Sequence, residues 1–90
     1  MEERVFERTE QVPEFKNGSG HAFTDISSEM YREYTYSDGG KIFIDKPLKL
    51  HVSKSGGHRI FSQDGLSHYV NSGWRMISWR SKDGEFNFVK

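Results

Sequence analysis

The sequence contains no cysteine, only two prolines and no long apolar run. Without cysteine the chain can form neither a disulfide framework nor a thiolate zinc site. An apolar run of roughly 20 residues is needed to span a bilayer, so we expect no membrane partner. The N-terminal stretch MEERVFERTEQ mixes charges of both signs and lacks the apolar core of a signal peptide. These absences predict a cytoplasmic protein.

Neither sign of charge is in excess, because 13 Lys and Arg residues balance 13 Asp and Glu residues. Proteins that hold long nucleic acid through counterion release usually carry a basic excess. The balance therefore predicts that long nucleic acid is not a partner. It still allows a local basic pocket for a small anion.

Ninety residues predict one domain with a small core. Hydrophobic residues make up only 33% of the chain, but aromatic residues reach 14%, and large rings bury much area per residue. Self-association would bury more, so a homo-oligomer is one expected state. We expect a single small β domain over residues 1–90, in which residues 1–20 form an arm or an irregular segment.

Turn signals recur at a spacing of about 8 to 12 residues, which is typical of a small antiparallel sandwich or barrel. The clearest strand begins at Leu48, where apolar and polar residues alternate as far as Ser53. The sequence therefore predicts a mainly β fold, an antiparallel β-barrel or sandwich of about 6–7 short strands. The expected strands cover residues 30–36, 41–45, 48–53, 58–62, 66–70, 74–80 and 85–89, with residues 4–12 as a further strand or an arm.

Residues 21–36 carry two conflicting patterns. Ile26, Met30 and Tyr34 recur every four residues, as on one side of a helix, and Asp25 could cap such a helix. The alternative is a strand over Met30–Tyr36, which would place Arg32, Tyr34 and Tyr36 on one face. We expect at most one short helix near residues 25–30, with a helical turn at 25–29, followed by a strand.

The run Ser55-Gly56-Gly57-His58-Arg59 is the first candidate binding element. Glycines let backbone amides approach an anion closely, and a guanidinium adds a forked pair of charge-assisted hydrogen bonds. His58 could donate one more hydrogen bond. The alternative is an ordinary hairpin turn, since Gly-Gly is common in turns and the run matches neither GxxxxGK[ST] nor GxGxxG.

The histidines form the second candidate, because His51, His58 and His68 fall on three successive predicted strands. Three imidazoles could hold zinc or iron, as in a cupin-like enzyme. Strict alternation, however, places His51 and His68 on opposite sides of the sheet. We therefore expect no metal site. His68 should lie on the inward face, either as a hydrogen-bonded core residue or at the wall of a cavity.

Aromatic rings form the third candidate, because they lie near several arginines and could stack against a base. We expect most of these rings to be core, above all Trp79. Trp74 follows a glycine turn and is the better candidate for the rim of a pocket.

No nucleophilic motif such as GxSxG occurs, so an enzyme is not favoured. We expect a non-enzymatic module without cofactor or metal, which senses or sequesters a small anionic, nucleotide-like or phosphate-bearing ligand. The predicted ligand contacts are Ser55, Gly56, Gly57, His58, Arg59, His68, Trp74 and Arg75. One alternative is a protein–protein interaction module, an inhibitor or an assembly component, without a small ligand. A metal-dependent cupin-like enzyme is the third.

Overall fold

The structure is a computed structural model that describes residues 12–82. It confirms the mainly β prediction, since this range contains seven β-strands and no α-helix. The strands are β1 (Thr24–Asp25), β2 (Glu29–Tyr36), β3 (Lys41–Asp45), β4 (Pro47–Val52), β5 (His58–Ser62), β6 (Ser67–Val70) and β7 (Trp74–Ser81). The strand predicted over residues 85–89 lies outside the described residues. So does the one over residues 4–12, apart from Val12, which is in no strand.

The strands form two antiparallel sheets. Sheet A has the order β1-β4-β5-β6, and sheet B has the order β3-β2-β7. Both sheets contribute side chains to one core, which consists of Ile26, Tyr34, Ile44, Leu50, Ile60 and Val70. Within residues 12–82 the architecture is therefore a sandwich, and no pairing closes it into a barrel.

Strand β2 resolves the conflict over residues 21–36. It pairs with β3 on one side and β7 on the other, so its backbone groups are satisfied by both neighbours. Arg32, Tyr34 and Tyr36 share its inner face, as the strand alternative predicted. The prediction of a helical turn at residues 25–29 is wrong. These residues form the end of β1 and an isolated, non-helical turn, which is closed by a hydrogen bond of 3.0 Å from Glu29 N to Ile26 O.

The side chains of sheet A form rows that run across the strands, because directly paired residues point to the same side of the sheet. The inner rows, which face sheet B, are Leu50–Ile60–His68 and Val52–His58–Val70. The outer rows are His51–Arg59–Tyr69 and Lys49–Phe61–Ser67, and we call this side the outer face of sheet A. Two strands of sheet A differ from the prediction by one residue, because β4 covers Pro47–Val52 and β6 begins at Ser67, with Leu66 exposed just before it.

Strand β7 departs from strict alternation at its start. Tyr36 pairs with Trp74 but Thr35 pairs with Met76, so Arg75 is the extra residue of a bulge. The bulge brings both Trp74 and Ile77 against the core, whereas alternation predicted them on opposite sides. Trp79 is only partly buried, not a fully buried core residue as expected.

A single residue connects sheet B to sheet A at the end of β3. Lys46 has a positive φ of 50°, and it is the one non-glycine residue of the described range that does. Its amide donates to Met30 O in β2, and its carbonyl accepts from Gln63 N, each at 2.9 Å. This left-handed residue therefore turns the chain sharply from one sheet to the other.

Candidate functional site

A cleft of about 340 Å³ lies on the outer face of sheet A. The irregular segment 15–21 forms one wall, and strands β5 and β6 form the other. Rings and cationic or imidazole groups dominate the lining, which includes Phe15, Phe23, Phe61, Tyr69, Lys16, His21 and Arg59. No Asp or Glu is among the described residues that line it. A cleft of this size fits a small organic molecule, and its charge favours an anion.

The aromatic part of the cleft joins segment 15–23 to the sheet. Phe15 packs edge-on against Phe23 with ring centroids 4.8 Å apart, and it also contacts Phe61 at 5.2 Å. Segment 15–23 is attached here through ring packing, because none of its residues belongs to a strand and the two-residue strand β1 begins only after it. All three rings are partly buried and keep some surface toward solvent.

Arg59 is held over the ring of Tyr69, with its guanidinium carbon 4.9 Å from the ring centroid. Tyr69 is itself fixed, because its hydroxyl lies 3.3 Å from Ser53 Oγ and 3.1 Å from Ser55 Oγ. These hydrogen bonds lower the pKa of Tyr69. The stacked guanidinium keeps its N–H edge available for a carboxylate or a phosphate.

Gly57 makes this arrangement possible. A Cβ atom at this position would lie only 2.6 Å from Cζ of Tyr69 and still closer to its hydroxyl. Any larger residue would therefore push the Tyr69 ring away from the Ser53 and Ser55 hydroxyls and disturb the support of Arg59.

His21 reaches the cleft from a tightly folded loop. Asn17 Oδ1 accepts hydrogen bonds from Ser19 N at 3.1 Å and from Ser19 Oγ at 2.7 Å, and Asn17 Nδ2 donates to His21 O. The His21 ring stacks on His51 with centroids 4.3 Å apart. His51 Nδ1 donates to Ala22 O at 2.9 Å, since a carbonyl can only accept.

Slight desolvation, together with the neighbouring His51 and Arg59, holds the pKa of His21 below its usual value. The ring of His21 is therefore mostly neutral at pH 7. At this pH it becomes a third cation of the cleft, beside Lys16 and Arg59, only when a negative charge offsets the charge of its neighbours.

The predicted glycine loop is a closed hairpin turn. Gly56 has a φ of 91° and donates its amide to Ser53 O at 2.9 Å, while Ser53 N donates to Gly57 O at 2.8 Å. The Gly56 amide is used within the turn, so it is not available for the expected anion nest. Ser55 contributes through its hydroxyl contact with Tyr69.

His58 lies on the opposite face from Arg59 and is only 4% exposed. Its Nδ1 is 2.7 Å from the hydroxyl of Tyr34, which also receives Arg32 Nη1 at 3.4 Å. Burial, with a contribution from Arg32, lowers the pKa of His58 to about 4. The neutral ring shares a hydrogen bond with Tyr34 inside the sandwich, so the expectation that His58 joins Arg59 on one anion does not fit this geometry.

The remaining predicted contacts are dispersed. Trp74 packs inside, with its ring 4.6 Å from His58 and 5.0 Å from Tyr34. Arg75 is exposed at the bulge of sheet B, away from the cleft. His68 belongs to an inner row, where its Nε2 lies 3.1 Å from Ser62 Oγ, and it borders the cleft. Of the predicted set, Arg59 and His68 line the cleft, while Ser55 and Gly57 support it.

Lys16 and His21 were not predicted as site residues, and Tyr69 was predicted only as one of several aromatic rings near arginines, not as a ligand contact. The composition Asn17-Gly18-Ser19-Gly20 indicated a loop, but nothing local showed that this loop folds back onto β5. The row His51–Arg59–Tyr69 depends on the register of three strands. The sequence does not show this register, so it did not predict that these three residues lie side by side.

The register places His51 on the outer face and His68 in an inner row, as alternation predicted. Among residues 12–82 no three His, Asp or Glu side chains are grouped as metal ligands would be. The same range also lacks any helix with the length and apolarity to cross a membrane.

Comparison of the chain with protein-family models, with curated proteins and with solved structures found no match in any of the three.

Proposed function

We propose that the protein is a non-enzymatic binding module whose outer cleft captures a small anionic ligand that carries a ring, such as a nucleotide or another phosphate ester. The observation that carries the proposal is the position of Arg59. Its guanidinium is exposed, stacked on Tyr69 and placed in a cleft to which residues 12–82 contribute no carboxylate. A guanidinium orientated in this way is suited to bidentate recognition of phosphate or carboxylate.

The second cation supports the same ligand class. Lys16 lies in the opposite wall, so an anion between the walls would face positive charge from segment 15–21 and from β5. The protein as a whole has a formal net charge of +0, so the excess of positive charge in the cleft does not reflect a basic protein. Attraction of this kind weakens as salt is added, because exposed charges are screened.

The rings support a ligand with a planar part. Phe15, Phe23 and Phe61 provide partly exposed aromatic surface next to the cations. Stacking of one base on an aromatic side chain contributes roughly 1–3 kcal/mol. A ring joined to an anion should therefore bind more tightly than either part alone.

The experiment is a thermal-shift screen followed by calorimetric titration with matched probes. Phenyl phosphate, phenyl sulfate and adenosine 5′-monophosphate carry both a ring and an anion. Phenol and adenosine carry only the ring, and inorganic phosphate carries only the anion. We expect the ring-bearing anions to raise the melting temperature most, because a ligand of the folded state stabilises that state.

Two variants locate the binding. Arg59→Ala should weaken binding of phenyl phosphate by roughly 10- to 100-fold, the scale of a hydrogen bond to a charged group. Arg80→Ala is the matched control, since Arg80 is an exposed arginine of β7 outside the cleft, and it should bind like the wild type. Wild-type affinity in Arg59→Ala would contradict the proposal.

If none of the ring-bearing anions binds, the interaction module becomes the better hypothesis. The outer face of sheet B is then the place to examine, because Phe43 and Met76 are 58% and 54% exposed there. Serine substitutions at these two positions would test whether a protein partner is lost.

A further inference from the structure

We infer that the cleft takes up one proton at His21 when it binds its anion, so that acidification strengthens binding. The inference rests on the proposed function and adds a mode of regulation to it. His21 lies on the same face of sheet A as Arg59, whereas His58 lies on the opposite face.

The geometry places His21 among positive neighbours. Its ring stacks on His51 at 4.3 Å and 23° between planes, and His51 is the direct cross-strand partner of Arg59. Lys16 lies in the same wall of the cleft. In the absence of an anion, a proton on His21 is disfavoured by desolvation and by the charge of His51 and Arg59, which together lower the pKa of His21.

Among residues 12–82, the groups that face His21 from other elements do not supply a compensating negative charge. Strand β4 presents His51, β5 presents Arg59, and β6 presents the phenol of Tyr69, while the ring of His68 is turned to the inner side and bonded to Ser62. Asp25 is the nearest carboxylate by register. It stands in the adjacent outer row, opposite Lys49, and is not among the residues that line the cleft.

An anion in the cleft would reverse this balance. Its charge would offset that of Arg59 and Lys16, and it would accept a hydrogen bond from a protonated imidazole. His21, rather than His51, is the residue that lines the cleft, and His51 already donates its Nδ1 proton to Ala22. The anion should therefore raise the pKa of His21.

The sign of the effect follows from linkage. Above the pKa of His21 in the complex, both states carry a neutral ring and affinity does not depend on pH. Between the pKa values of the complex and of the free protein, binding takes up a proton and strengthens as pH falls. One proton corresponds to at most about tenfold in affinity per pH unit. Below the pKa of the free protein the effect levels off.

The test uses the full chain and phenyl sulfate, because a sulfate ester keeps one negative charge throughout the range. Calorimetric titrations from pH 5.5 to 8.0, each in two buffers of different ionisation enthalpy, measure both affinity and proton uptake. We expect affinity to rise at least about fivefold across this range, with net proton uptake near its middle. His21→Gln should bind with the wild-type affinity of pH 8 at every pH.

A second measurement identifies the residue. The ring proton resonances of His21 and His51, followed by NMR, give the pKa of each with and without phenyl sulfate. A rise for His21 is expected. A pH-independent affinity, an unchanged pKa of His21, or a pH dependence that survives in His21→Gln would overturn the inference.

The two proposals fail in different ways. Binding that requires Arg59 but does not depend on pH would overturn the inference of proton uptake and leave the proposed anion-binding function intact. No binding of phenyl sulfate at any pH would overturn the inference, since a cleft that gains a proton for an anion must recognise a permanent one. Phenyl phosphate and adenosine 5′-monophosphate would then decide the proposed function separately.

Discussion

The buried ion pair of strand β2 allows a sharp prediction of stability. Glu29 and Arg32 are both 0% exposed, and two hydrogen bonds join them, from Nε to Oε1 at 3.0 Å and from Nη2 to Oε2 at 2.6 Å. Glu29→Gln removes the negative charge with little change in shape. It leaves a buried guanidinium without its carboxylate, whose remaining partners are the new amide oxygen, the Tyr34 hydroxyl and the Trp79 ring.

The expected loss is about 3 kcal/mol. Breaking a buried pair by removing one partner costs roughly 3–5 kcal/mol, and the remaining partners of Arg32 favour the lower end. A domain of 90 residues has a free energy of unfolding of about 5–14 kcal/mol at roughly 0.05–0.15 kcal/mol per residue. The variant should therefore lose between a fifth and more than half of its stability. The melting temperature should fall by more than about 10 °C.

Urea denaturation measures this loss, with Glu14→Gln as the control, because Glu14 is an exposed carboxylate. The control should stay within about 0.5 kcal/mol of the wild type. The double variant Glu29→Leu/Arg32→Met should recover much of the loss, since it leaves no unpaired charge in the core. A loss below about 1 kcal/mol in Glu29→Gln, at an unchanged m-value, would show that the pair is hydrated and refute the reasoning.

Two further predictions concern His58 and Gly57. The pKa of His58 is about 4 in the folded protein and near 6.5 in an unfolded chain, so the unfolded chain binds the proton first. The free energy of unfolding should therefore be highest above pH 6.5 and fall by about 2–3 kcal/mol as pH drops to 4. His58→Gln should lack this slope in a series of urea titrations. Gly57→Ala should cost roughly 1–3 kcal/mol, because the added methyl group meets the Tyr69 ring. The cost should largely disappear in a Tyr69→Ala background, and a cost that persists there would place the strain in the backbone.

The sequence predicted the strands well because local patterns determine them. The alternation after Leu48 and the glycine turns fall close to the observed bounds of β3 to β7. Strand β1 was missed, since two residues carry no periodicity, and Trp74 was misplaced because a bulge leaves no clear mark in the sequence. Each of these failures comes from tertiary pairing.

The candidate site was predicted only at Arg59, its supporting turn and His68. His58 and Arg59 are adjacent in the chain, but the pleat sends one into the core and the other into the cleft. The missing partners come from a loop nearly 40 residues earlier, which no local pattern connects to β5. A site built from the outer row of a sheet requires the register, and the register follows from packing of the whole sandwich.

The one-residue link at Lys46 determines where this chain can tolerate a change of length. Side chains alternate along a strand, so an extra residue at Lys46 would rotate all of β4 and send Leu50 outward. Lys46 is also bonded to Met30 of β2 and to Gln63, the residue that follows β5, so the link has no slack to absorb the insertion. The exposed turn at Ser37–Gly40 joins β2 to β3 within one sheet and carries no such constraint. Tags and grafted peptides therefore belong at Ser37–Gly40, and relatives that differ in length should keep the step at Lys46 unchanged.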